Sequence, residues 1–61
     1  MKIRMTYKIQ NEATGNEDNL SDVLNWPDIS TLADAKPHII AYLDQKWGQG
    51  RYLLLDTREE V

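Results

Sequence analysis

The chain has no cysteine and a single histidine, so neither a disulfide nor a thiolate metal site can staple it. At 61 residues it therefore holds together by packing alone, in a size range where folding removes only ~60% of the unfolded surface from water. Long apolar runs are also missing: the longest is Leu53-Leu54-Leu55, far short of a membrane span. The opening residues Met1-Lys2-Ile3-Arg4-Met5 read as a strand without the apolar stretch of a secretory leader, and together these absences predict a cytoplasmic protein. The scarcest feature is positional. Between Lys8 and Lys36 there is no lysine or arginine at all.

Residues 2–10 alternate cleanly, with Ile3, Met5, Tyr7 and Ile9 on one side and Lys2, Arg4, Thr6, Lys8 and Gln10 on the other, as a half-buried strand does. Glu12 to Asn16 reads as a turn, with Gly15 at the position that favours positive φ. A second strand is expected at about 19–25, paired with the first as a hairpin and ended by Trp26-Pro27. Leu32, Ala35, Ile39, Tyr42, Leu43 and Lys46 fall at helical spacing, flanked by Ile40 and Trp47, with Ser30 or Thr31 as cap and Gly48 as stop. Pro37 conflicts with that helix. The favoured reading makes residues 30–35 a separate turn and starts the main helix near Asp34; the other is a helix from Thr31 that kinks at Pro37. A last strand is expected from Arg51 to about Thr57, with either Leu53 and Leu55 or Tyr52 and Leu54 facing the helix, and with Arg58–Val61 solvated.

The assembled expectation is one α+β domain over residues 1–61: β-β-α-β, a three-stranded antiparallel sheet in order 2-1-3, with one helix packed on one face.

Catalytic and cofactor chemistry find little support. His38 follows a helix-breaking proline, and no Gly-x-Ser-x-Gly elbow accompanies Ser21 or Ser30. The oxygen-rich stretch Asn11–Asp22 lacks the residue order of a calcium loop. Gly48-Gln49-Gly50 leads to a strand, whereas a phosphate cradle leads into a helix. We therefore expect no enzyme, no cofactor and no metal.

Charge carries more information. Glu12, Glu17, Asp18, Asp22, Asp28 and Asp34 give the base-free segment −6, whereas residues 1–8 carry +3 and residues 36–61 balance four bases against four acids. Such a run serves solubility in many proteins. It also makes a surface complementary to a basic groove, where opposite charge speeds encounter and fixes orientation. Carboxylates ~3–7 Å apart along a strand and loop approach the spacing of backbone phosphates. Trp26 stands among them, and tryptophan is enriched at binding hot spots. The expected contact set is Glu12, Glu17, Asp18, Asp22, Trp26, Asp28 and Asp34. Its expected partner is a protein with a basic, nucleic-acid-binding surface, with no membrane and no direct nucleic acid: Lys2, Arg4 and Lys8 share a strand face that lacks interleaved aromatics.

In size, charge and sheet-plus-helix patterning the chain resembles the small inhibitors that phages and other mobile elements direct against host machinery, anti-CRISPR proteins above all. The acidic series Glu17, Asp18, Asp22, Asp28 and Asp34 with Trp26 carries the resemblance. It implies stoichiometric binding to an effector complex or nuclease inside the host cell, in the manner of a DNA mimic. The alternative from a different class is a general interaction or regulatory module, monomeric or homodimeric, using the apolar C-terminal strand through Tyr52 or Leu54.

Overall fold

The computed structural model describes residues 1–60, so Val61 of the expected solvated tail lies outside the described residues. Strand β1 (Lys2–Gln10), strand β2 (Glu17–Asn25), helix α1 (Leu32–Trp47) and strand β3 (Tyr52–Glu59) follow in that order. The sheet is antiparallel with order β2-β1-β3, and the alternating strand is the central one. Ile3, Met5 and Tyr7 from β1 meet Ala35, Ile39 and Leu43 from α1, and all six are fully buried. One layer of helix on one face of a sheet is the architecture that the sequence implied.

The β1–β2 hairpin runs without interruption from Lys2↔Asn25 to Gln10↔Glu17, so β2 begins two residues earlier than expected. Its turn closes through the Asn11 and Gly15 amides, which donate to the carbonyls of Asn16 and Asn11, each at 2.7 Å. Gly15 adopts φ of 76°, a conformation costly for a residue with a Cβ. Pairing of β1 with β3 shifts register between Thr6 and Tyr7, which leaves Leu55 as an extra residue between Leu54 and Asp56. Tyr52 and Leu54 pack against the core, while Leu53 and Leu55 are 54% and 50% exposed. The exposed apolar side of β3 is thus Leu53 and Leu55 in place of Tyr52 or Leu54.

Beyond Thr57 the chain stays in the sheet. Arg58 and Glu59 belong to β3, and Glu60 donates its N–H to the Lys2 carbonyl at 2.8 Å. The side chains of Arg58 and Glu59 are exposed as expected, but the backbone of this segment is not free: its pairing to β1 extends the sheet past Thr57.

The helix is continuous from Leu32, which corrects the expected separate turn at 30–35. Thr31 caps it, its hydroxyl accepting from the Asp34 N–H at 3.2 Å while its carbonyl accepts from Ala35 N–H at 3.1 Å. Burial of Ala35 secures this first turn against the sheet. Pro37 lies one and a half turns in and deprives the Ala33 carbonyl of its i+4 donor, but Ala33 is exposed, on the side of the helix open to solvent. Since a helix-interior proline costs up to ~3 kcal/mol, Pro37→Ala should stabilise the fold by ~1–3 kcal/mol, seen as a higher urea midpoint at unchanged slope. A lower midpoint would mean that the proline ring supports packing.

Candidate docking surface

Alternation along β2 divides its acids between two sides of the sheet. Asp18, Leu20, Asp22 and Leu24 pair with Ile9, Tyr7, Met5 and Ile3 and share the helix side; Glu17, Asn19, Ser21, Val23 and Asn25 take the open side. A carboxylate at Asp22 therefore points toward the covered face, and the structure supplies donors for it. Its Oδ2 accepts from Tyr7 OH, Tyr42 OH and Lys46 Nζ, each at 2.9 Å. Trp47 Nε1 donates to the Tyr7 hydroxyl at 3.0 Å, and Lys46 Nζ lies 5.7 and 5.6 Å from the ring centres of Tyr42 and Trp47. No buried side-chain nitrogen or oxygen among the described residues is left without a partner, as burial demands.

The titration of these groups follows from that geometry. Burial opposes the charge on Asp22, but the bonds from Lys46, Tyr42 and Tyr7 outweigh it and hold the carboxyl below its ordinary range. The Asp22 bond raises Lys46 above the usual ammonium range. Burial pushes the Tyr7 phenol up. At the other flank of the helix, Tyr52 OH donates to Asp44 Oδ1 at 2.6 Å, and that bond pushes the phenol up to about 12.

Other acids are also engaged. Glu12 meets Arg51 at 2.6 Å, both side chains largely exposed, and Glu17 meets Lys8 at 3.0 Å. On the open face Arg4 forms two bonds to Glu60, at 2.8 and 2.9 Å, and a third to Ser21 Oγ at 2.9 Å. Arg4 and Lys8 are thereby neutralised within the fold, and of the basic face read from the first strand only Lys2 keeps its charge without an ion pair among the described residues.

Of the six acids in the base-free segment, Asp18, Asp28 and Asp34 make no ion pair among the described residues. They are distributed lengthwise. Asp18 lies near one end of β2, and Asp28 and Asp34 lie past the other, in the loop and in the first turn of α1. Between Asp18 and Asn25 the strand advances ~24 Å at ~3.4 Å per residue, in a molecule 38 Å along its longest axis. Trp26 is half-buried at that second end, packed against the core with its ring centre 6.0 Å from that of His38. The seven residues nominated from the sequence thus resolve into three open carboxylates, one near the start of β2 and two past its end, with two acids in surface ion pairs, one internally bonded acid and one partly covered tryptophan.

Tyr7, Tyr42, Lys46 and Glu60 were not among the nominated residues, although each engages a charge. The signal for three of them was present: an acid at an inward strand position beside Leu20 and Leu24, opposite Tyr42 and Lys46 one helical turn apart. No group of three or more histidines or acids placed to hold a metal occurs among the described residues, and none of their helices is long and apolar enough to cross a membrane. No protein-family model, curated protein or solved structure matches the chain.

Proposed function

We propose that this chain is a non-enzymatic binding protein that docks the β2 edge and the adjoining start of α1 onto a basic, nucleic-acid-binding surface of a protein partner, inhibiting it by occupying the place of the phosphates. The observation that carries this reading is the set Asp18, Asp28 and Asp34: three exposed carboxylates without an ion pair among the described residues, in a 27-residue stretch without a base, one near the start of β2 and two past its end. A partner groove that holds phosphates with lysine and arginine meets them with complementary charge. Asp22 is not part of this contact, because its charge is spent inside the fold.

The test is capture of partners from extract of the native host with wild type and with the triple variant Asp18→Lys, Asp28→Lys, Asp34→Lys. All three positions are exposed, so the variant should keep its circular dichroism spectrum. The captured partner should lose its hold on nucleic acid when wild-type protein is added, and the triple variant should bind it at least ~100-fold more weakly, given coupling energies of a few kcal/mol for close interfacial charges. Undiminished inhibition by the triple variant would refute the proposal.

The exposure of Leu53 and Leu55 supports a second reading, an interaction module built on β3. A dimer seen by light scattering and dissolved by Leu53→Lys would favour it.

A further inference from the structure

An antiparallel ladder alternates the residues whose backbone groups face the neighbouring strand, and bonds at both ends of the hairpin fix the phase in β2. Trp26 N–H donates to the Met1 carbonyl at 2.9 Å and the Met1 ammonium donates to the Trp26 carbonyl at 2.7 Å. At the far end Asn11 N–H donates to the Asn16 carbonyl. Counting by twos from either end gives the same result. Asp18, Leu20, Asp22 and Leu24 bond to β1, while Glu17, Asn19, Ser21, Val23 and Asn25 aim their N–H and C=O groups away from the sheet. Among the described residues no loop or helix backbone bonds these outward groups.

The two edges of the sheet are not equivalent. Edge β3 is broken by the extra residue Leu55, and a bulge twists an edge out of line for further pairing. Edge β2 is nine residues long, has unbroken register, and contains neither proline nor lysine, so the charges that guard it against strand addition are the acids Glu17, Asp18 and Asp22. Its charge selects the occupant. In the antiparallel pairing that a two-fold dimer requires, a second copy would bring the Asp18 end of β2 toward the Asp28 and Asp34 end of its twin, acid beside acid. A cationic segment meets no such repulsion. Because Lys8 and Lys46 already satisfy Glu17 and Asp22, the open carboxylates bracket the strand, with Asp18 at one end and Asp28 and Asp34 beyond the other.

We infer that the β2 edge receives an extended segment of a partner protein as a fourth strand, with lysine or arginine at both ends of the segment and uncharged residues between. The inference rests on the docking function proposed above and names the backbone contact through which it acts. Main-chain bonds to Asn19, Ser21 and Val23 supply the grip, and the flanking charges fix the ends.

The probe is a synthetic peptide of alternating threonine and valine with two lysines at each end, titrated into isotopically labelled protein and followed by amide hydrogen exchange. At saturation the amides of Asn19, Ser21 and Val23 should exchange at least ~10-fold more slowly, while those of Leu20, Asp22 and Leu24, already bonded to β1, should not change. Asn19→Pro removes one outward N–H and leaves the β1 ladder intact, so the variant should fold and lose the peptide. Should that variant not fold, the wild-type exchange pattern decides alone. Absence of peptide binding, binding without slowed outward amides, or full binding by folded Asn19→Pro would overturn strand addition. Slowing of the same amides with protein concentration and no peptide would assign the edge to a second copy and overturn it equally. If Asn19→Pro captures the host partner normally while the triple Asp18, Asp28, Asp34 reversal does not, the acidic docking surface stands and only strand addition falls.

Discussion

Asp22→Ala should lower the urea midpoint by ~2 M, a loss of ~2 kcal/mol at a slope of ~1 kcal/mol per M. The substitution strips the acceptor from Tyr7 OH, Tyr42 OH and Lys46 Nζ together. Of these the Tyr7 hydroxyl matters most, since its residue is fully buried and its O–H is left with no acceptor. In a domain of this size, expected to hold only ~3–5 kcal/mol in total, the effect is large. Asp22→Asn keeps an acceptor oxygen and should lose less. The same carboxyl gives a pH signature. Its folded value lies below the ordinary ~3.9, so its contribution is fully present above ~pH 4 and disappears as pH falls through the folded value. Glu60, held low by Arg4, acts in the same direction. Wild type should therefore lose stability below ~pH 4 more steeply than Asp22→Ala. Equal acid profiles would show that the three donors do not depend on this charge.

Ile39→Ala is expected to unfold most of the protein at room temperature. Ile39 is fully buried between the helix and Ile3, Met5 and Tyr7, in a core of six fully buried residues among those described. Truncation of a buried isoleucine costs ~2–5 kcal/mol, comparable with the whole stability of so small a domain. The better helix propensity of alanine returns no more than ~0.5 kcal/mol. Ile39→Val, at ~0.5–1.5 kcal/mol, should stay folded with a lower midpoint. Collapsed amide dispersion in the first variant and a native-like spectrum in the second would establish that one thin layer carries the fold. A native spectrum for Ile39→Ala would mean that the half-buried rim, Leu20, Leu24, Trp26, Leu54 and their neighbours, holds more than the centre.

These effects explain why the sheet and helix were legible in the sequence and the state of the candidate acids only in part. Period-two alternation in residues 2–10 and helical spacing from Ala35 to Leu43 arise from burial itself, so they named the central strand and all six core residues directly. Pro37 misled because local preference argued for a break, whereas burial of Ala35 ahead of it and the exposure of Ala33 made the continuous helix cheaper. The bulge at Leu55, which decides the exposed side of β3, has no local signature in a run of three leucines. For the acids, composition revealed the sign of the charge but not its use. Lys46 and Arg51 reach Asp22 and Glu12 from elements distant in sequence, Lys8 reaches Glu17 across the hairpin, and those pairs reduce six candidate carboxylates to three.

The central claim is that these three remaining carboxylates meet a partner. Carbodiimide labelling of exposed acids, read residue by residue with and without the captured partner, tests it most directly. We predict that Asp18, Asp28 and Asp34 become protected in the complex while Asp56 and Glu59 on β3 label as before. Unchanged labelling of all three in a saturated complex would contradict the account.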